Sequence, residues 1–323
     1  MTTWLPPGPA LLFCPADRPE RYAKAVERAD AVIIDLEDAV AEQDRPAARE
    51  HLRRSALDPE RVIVRVNPHG SPDYEADLRA LADTAYRCVM LAKTESGDQV
   101  RELHQASGAA VLALAETPLG VVRAAEIAAA DGCAGLMWGS EDLVAGMGGS
   151  LSRFTAAEAD PASSGSGAGD RATAGSGWSS PQVVPGRYRD VPRFARATVA
   201  LAAAAFGRWM VDAVHFDIRD TGGLHAEASD AVALGFAATG CIHPAQVPVV
   251  RAAYAPSASE LDWARRVLQA GQQHSGVFAL DGMMIDGPVF RQAESTLRRA
   301  RAAGMTTAAT TPAQATTPTQ ERP

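Results

Sequence analysis

Glu116 in "LALAETPLG" and Asp142 in "MWGSEDLVAG" each follow directly on an apolar run, and neither stretch carries an obvious counter-charge close by. Taking an unpaired carboxylate out of water costs several kcal/mol or forces it to hold a proton. A divalent cation removes that difficulty. Two carboxylates, with the remaining positions left to water or substrate, form the all-oxygen set that Mg²⁺ accepts. The chain has none of the clustered His and Cys that zinc selects, so Mg²⁺ is the expected cofactor and Glu116 and Asp142 its expected ligands.

Other polar residues close similar runs. Arg65, in "RVIVRVNPHG", emerges from an apolar stretch; its planar fork suits a bidentate grip on a substrate carboxylate, and equally a buried pair with a neighbouring acid. The run "DLEDAV" offers Glu37 and Asp38 either to hold metal-bound waters or to act as a general base. Its competing reading is a strand end at which Asp38 caps the next helix. Lys93 in "MLAKTES" reads as electrostatic or structural, because a Schiff-base lysine needs a lowered pKa that nearby acids oppose. Asp35, Asn67, Glu141 and His243 complete the set, and for Asp17, Asp217 and Asp220 the preferred reading is loop or helix capping.

These residues need a scaffold that gathers the ends of separate strands. Eight apolar runs supply it: "ALLFCP" from Ala10, "AVIIDL" from Ala31, "RVIVRV" from Arg61, "RCVMLA" from Arg87, "AVLALA" from Ala110, "AGLMWG" from Ala134, "DAVHFD" from Asp212 and "GCIH" from Gly240. Most begin about 20 to 30 residues after the one before, with a helix-like pattern between, as strands joined by single helices do. The runs are continuous rather than alternating, which fits strands covered on both faces. The expected fold is α/β, a parallel eight-stranded barrel over residues 1–256, whose active site lies where the strands end.

The rhythm fails once. A Ser/Gly-rich insertion at about 155–187 buries too little apolar surface to order itself, and is expected to be mobile. Residues 257–304 add helical segments opened by Ser257 or Ser259, and the Thr/Ala/Pro-rich tail 305–323 is expected to be disordered. Lys and Arg number 31 against 39 Asp and Glu, a net charge of −8, which argues against nucleic acid or an anionic membrane as partner. No stretch is apolar for the roughly 20 residues that a bilayer needs. The start of the chain lacks the basic lead of a signal peptide, and the four cysteines show no paired spacing, so a reducing cytoplasmic setting is expected.

Taken in order, "FCPADRPERY", "AVIIDLEDAV", "VRVNP", "LALAETPLGV", "WGSEDLVAGMGG", "GFAATGCIHPAQV" and "DGMMIDGPV" resemble the citrate lyase beta-subunit-like and malyl-CoA lyase family of the HpcH/HpaI aldolase superfamily, from Leu11 to Ala293. The resemblance implies a TIM (β/α)8 barrel with a C-terminal helical lid and oligomerisation segment. It implies an Mg²⁺-dependent enzyme, a homotrimer or hexamer, that cleaves or forms a carbon–carbon bond between an acyl-CoA and a 2-oxo acid, of the malyl-CoA or citramalyl-CoA type. Within it Glu116 and Asp142 correspond to the metal carboxylates and Arg65 to the substrate-gripping arginine. Asp286 of the "MID" stretch resembles a lid acid offered to a neighbouring subunit, although an Asp-Gly turn at a helix end also accounts for it. Arg18, Arg21 and Lys24 match a basic stretch that would meet CoA phosphates, where a solvated helix face is the commoner meaning. Three rival functions remain: a citrate lyase beta subunit acting on a carrier-bound citryl thioester, a malyl-CoA thioesterase, and a non-catalytic barrel. The chain departs from the family pattern at Ala16, where glycine is usual, and near Thr239, where a lysine is missing before "IHP".

Overall fold

Runs such as Val62-Ile63-Val64 are β-branched and apolar on both faces, and every residue of Ala31–Asp35, Val62–Val66 and Cys133–Trp138 is buried. In the computed structural model, which describes residues 4–159, 184–274 and 276–305, these runs become a closed parallel barrel. Its strands are β1 (Ala10–Pro15), β2 (Ala31–Asp35), β3 (Val62–Val66), β4 (Cys88–Leu91), β5 (Ala110–Ala115), β6 (Cys133–Trp138), β7 (Trp209–Asp212) and β8 (Ala238–Cys241). They pair in sequence order, and β1 closes onto β8 through Ala10–Thr239 and Leu11–Gly240. This is a TIM barrel.

Leu11, Ile33, Ile63, Met90, Leu112 and Met137 form its apolar interior together with Trp4. The Trp4 ring lies 5.6 Å from that of Trp209, the first residue of β7, which puts it where the strands begin. Helices fill the gaps between strands. The helix Gly97–Ser107 shows why they stop where they do: Ser96 and Gln99 form a capping box at its start, and Gly108 ends it at φ 67°.

The seventh strand differs from expectation. "DAVHFD" was the more strand-like run, yet β7 ends at Asp212, where that run begins. The helix ahead of it, Asp190–Ala205, stops at Phe206, and Gly207 turns the chain at φ 64° into "RWMVD". Asp217 and Asp220 therefore do not close a strand. They belong to the following loop, where Asp217 accepts from Arg219 N at 2.9 Å and Asp220 caps the helix Thr221–Leu234 through Gly223 N.

The chain divides into two compact units between Ala253 and Tyr254. The second holds the helix Ala258–Gly271, capped by Ser257 and Glu260, an antiparallel hairpin of β9 (Phe278–Leu280) and β10 (Met283–Ile285), and the helix Gly287–Ala302. Ile285, Val267, Ala264 and Ala293 form its own small core. Most of the Ser/Gly-rich insertion and all of the tail beyond Met305 lie outside the described residues. Among the described residues no helix is long and apolar enough to cross a membrane. All four cysteines are buried and free, and burial pushes the Cys14 thiol up to about 11.

Candidate active site

β2 and β3 run side by side with Asp35 opposite Arg65, and that register builds the first half of the site. Arg65 Nε and Nη2 donate to the two Asp35 oxygens at 2.7 and 2.6 Å, a bidentate fork with both partners buried. Glu37 N and Ala39 N also donate to Asp35, at 3.0 and 3.2 Å, so the acid organises the loop after β2 as well. Arg65 Nη1 turns to Glu37 at 3.0 Å and lies 3.8 Å from Asp38. Burial opposes its charge, but Asp35, Glu37 and Glu116 raise its pKa above the usual arginine value. Arg65 is thus a buried ion-pair partner and lines the cavity too. Glu37 is 3% exposed, and its pKa is raised, chiefly by burial. Asp38 is more than half exposed, lines the cavity and caps no helix.

The second half comes from β4, β5 and β6. Glu116 directly follows β5 and is 3% exposed; burial pushes its carboxyl up to about 8, against Arg65 and with the help of Asp142 and Glu37. Gly139, just past β6, lets it lie there, since a Cβ at that position would come within 2.9 Å of Glu116 Oε2. Asp142 stands in the first turn of the helix Ser140–Gly146 with its side chain 41% exposed. Lys93, beyond β4, ties the halves together. Its backbone N–H donates to Glu116 Oε1 at 3.0 Å, and its ammonium meets Glu37, lies 3.5 Å from Asp38 and 3.6 Å from Asp142.

Asp35, Asp38, Arg65, Glu116, Gly139 and Asp142 line a cavity of about 510 Å³ at the C-terminal ends of the strands, and Glu37 and Lys93 pair with the residues that line it. Asp35, Glu37, Asp38, Glu116 and Asp142 offer five carboxylates against the two cations Arg65 and Lys93. The excess is acidic, and its most buried open member, Glu116, resists ionisation without a further positive charge. All candidate donors are hard oxygens, as Mg²⁺ requires. Among the described residues no group of three or more His, Cys, Asp or Glu is arranged around a metal. Glu116 and Asp142 alone fit an ion that keeps most of its water.

Glu141 lines the cavity with its Oε1 accepting from Ser140 Oγ at 3.0 Å and from Ser152 Oγ. Ser152 belongs to a short stem in which Arg153 bridges to Tyr188, stacks on its ring at 3.6 Å and pairs with Glu227. Arg18, Arg21 and His243 are not among the residues that line the cavity. Arg18 and Arg21 are largely exposed, pairing with Asp17 at 3.5 Å and Glu20 at 3.9 Å. His243 is exposed and accepts from Ala245 N at 3.1 Å. Asp286 belongs to the C-terminal unit, where it caps the start of the helix Gly287–Ala302 rather than ending one. Reading the sequence undervalued Asp35 and Lys93. The usable signal for Asp35 was its place opposite Arg65; for Lys93 there was none short of its backbone, one of two non-glycine residues at positive φ among those described.

Residues 10–156 match the family described as HpcH/HpaI aldolase/citrate lyase, and residues 193–305 match the C-C bond lyase of the TIM-barrel fold. A citrate lyase subunit beta-like protein of Mycobacterium tuberculosis is 54% identical over 293 residues, covering 91% of this chain and 96% of the relative. The crystal structure of the protein CitE from Mycobacterium tuberculosis, in complex with magnesium, acetoacetate and coenzyme A, aligns with TM-score 0.76 and 52% identity over 91% of this chain and 98% of that one. A citrate lyase beta subunit from the same organism, complexed with oxaloacetate and magnesium, aligns with TM-score 0.65 and 53% identity over 77% and 97%.

Proposed function

As a member of the HpcH/HpaI aldolase/citrate lyase family this chain is a carbon–carbon lyase, and we propose that it splits a 3-hydroxyacyl-CoA of the malyl-CoA or citramalyl-CoA type into an acyl-CoA and a 2-oxo acid, with Mg²⁺ held by Glu116 and Asp142. The observation that carries this reading is Glu116, a buried carboxylate beside Asp142 and Arg65 in one cavity, raised to about 8 chiefly by burial, with Asp142 and Glu37 adding to the rise against Arg65 and Lys93. Relatives complexed with magnesium together with coenzyme A and acetoacetate, or with oxaloacetate, support it. Bound at this site, Mg²⁺ supplies Lewis acidity toward the oxygens of the 2-oxo acid portion.

The residues then divide the work. Arg65, its fork fixed by Asp35, turns its third nitrogen toward the substrate carboxylate and exchanges Glu37 for it. In cleavage the 3-hydroxyl proton passes to the Glu37/Asp38 acids, the carbonyl of the 2-oxo acid forms, and the bond between C2 and C3 breaks. Its electron pair stays on C2 as a thioester enolate, and a proton delivered to C2 completes the acyl-CoA. Asp286, offered to the active site of a neighbouring subunit, is the proposed donor of that proton. Arg18 and Arg21 are proposed for the CoA phosphates, and a trimer or hexamer is the proposed assembly.

The test is a coupled assay of free CoA and of the oxo acid released, a 2-oxo acid from malyl-CoA and citramalyl-CoA and a 3-oxo acid from 3-hydroxy-3-methylglutaryl-CoA, with Mg²⁺ or chelator. Chelator-sensitive release of an oxo acid, lost in Asp142→Ala, is the expected result. Free CoA without an oxo product makes the protein a thioesterase, and no turnover of any thioester overturns the CoA-linked reading.

A further inference from the structure

One residue touches both halves of the site and is bent out of the ordinary way to do so. Lys93 sits at φ 50°, a left-handed conformation uncommon for residues other than glycine, asparagine and aspartate, and one that folds keep where geometry at a site demands it. That backbone turn aims the Lys93 N–H at Glu116 Oε1, 3.0 Å away. The same turn sends the side chain between the acids of β2 and those of β5 and β6: the ammonium meets Glu37, lies 3.5 Å from Asp38 and reaches Asp142 Oδ1 at 3.6 Å. Every carboxylate of the site other than Asp35 and Glu141 is thus in contact with this one residue. Asp35 is already saturated by the Arg65 fork and two backbone donors.

We propose that Lys93 is a positioning residue that keeps Glu37 and Asp38 out of the metal's coordination, so that the ion is held by Glu116 and Asp142 alone and the β2 acids stay free to move protons. Arg65 meets Glu37 at 3.0 Å and lies 3.8 Å from Asp38, whereas Lys93 is the cation that lies between these two acids and Asp142; without it the two pairs of carboxylates form a stronger trap for a divalent ion. A lysine is suited to that place because its ammonium is a compact charge on a flexible stem. It holds Glu37 and Asp38 on its far side and sets a positive charge beside Asp142, which lowers affinity for the ion and fixes which acids bind it. The proposal rests on the reading of Glu116 and Asp142 as the metal ligands.

Mg²⁺ binding by isothermal titration calorimetry on the full chain tests both readings separately. Lys93→Asn and Lys93→Gly both accept the left-handed backbone, so the N–H to Glu116 is kept while the ammonium and its stem are removed. Each is expected to bind Mg²⁺ roughly tenfold more tightly, as loss of a nearby like charge predicts, while kcat for thioester cleavage falls by about the same factor at saturating Mg²⁺ and KM moves little. Lys93→Arg, which keeps the charge, is expected to restore wild-type affinity. Unchanged or weaker Mg²⁺ binding in both neutral variants, with normal binding by wild type, overturns the role of Lys93 and leaves the metal site standing. A wild type that takes up no Mg²⁺ overturns the metal site and the lysine's role with it.

Discussion

Where the strands begin, Leu11, Ile33, Ile63 and Leu112 pack on one another and ask for no polar partner, and the Trp4 indole N–H is buried beside them without one; where they end, Asp35, Glu37 and Arg65 are almost as deeply buried and each is held by several polar partners, while Glu116 accepts from the Lys93 N–H. The first interior stabilises the fold in proportion to apolar area and holds no acid or base among these residues for pH to titrate. The second gains little net stability, because the cost of desolvating each charge offsets most of the attraction between them. What it gains is fixed geometry. The two interiors should therefore answer oppositely to substitution, one in stability and the other in chemistry.

The largest effect is expected from Asp142→Ala. Removing a metal carboxylate should lower kcat/KM by on the order of a thousandfold, about 4 kcal/mol of transition-state stabilisation. The 41% exposed side chain should contribute less than about 0.5 kcal/mol to stability. Steady-state kinetics and urea denaturation in chelator read the two numbers; a large loss of stability would place Asp142 with the structural interior.

Glu116 sharpens the contrast through pH. Its carboxyl ionises near 4.5 in the unfolded chain and at about 8 in the metal-free fold. Between those values the native state binds more protons, so the stability this group contributes is full below pH 4.5 and is lost as pH rises through 8. The loss is on the order of 5 kcal/mol. Metal-free Glu116→Gln lacks that loss and should be the more stable protein at alkaline pH, with the two curves meeting in acid. Mg²⁺ should raise the melting temperature of wild type and leave the variant unmoved. Parallel curves for the two proteins across pH would show that Glu116 is already ionised and paired in the fold.

Leu112→Ala tests the other interior. Leu112 is fully buried within the apolar cluster, and truncating it should cost about 3 kcal/mol, leaving kcat of the folded fraction unchanged. Denaturant unfolding and kinetics on one sample separate the two.

The same division decided how much could be read from sequence. Apolar runs declare themselves locally, so six of the eight strands overlap their expected positions closely and the eighth shares Gly240 and Cys241 with its expected run, while Asp35, Asp38, Arg65, Glu116, Glu141 and Asp142 among the polar candidates line one cavity. β7 was misplaced because its four residues are hidden behind an Ala-rich helix, and only Gly207 marks the turn between them. Within the site, Glu116, Asp142 and Arg65 stand out because each interrupts an apolar pattern. The links between them do not: Lys93 meets Glu37 and Asp38 across 56 and 55 positions of chain, and its positive φ leaves no mark on composition or period.

The smallest effect is expected where the two interiors meet, at the stem beside the site. Ser152 is buried and donates its hydroxyl to Glu141 Oε1, which Ser140 also supports at 3.0 Å. The stem itself is held by Arg153, through Tyr188 and Glu227, and by Arg189 N donating to Ser152 O at 2.9 Å. Ser152→Ala removes one of two donors to Glu141 and none of the bonds that hold the stem, so stability should fall by about 1 kcal/mol. Glu141 then swings on Ser140 alone at the cavity wall, and KM should rise by roughly twofold to threefold with kcat unchanged, as loss of a positioning contact rather than a reacting group predicts. A fall in kcat with KM unmoved would instead put Glu141 among the groups that act on the reacting atoms, and would draw the boundary between the two interiors through the stem itself.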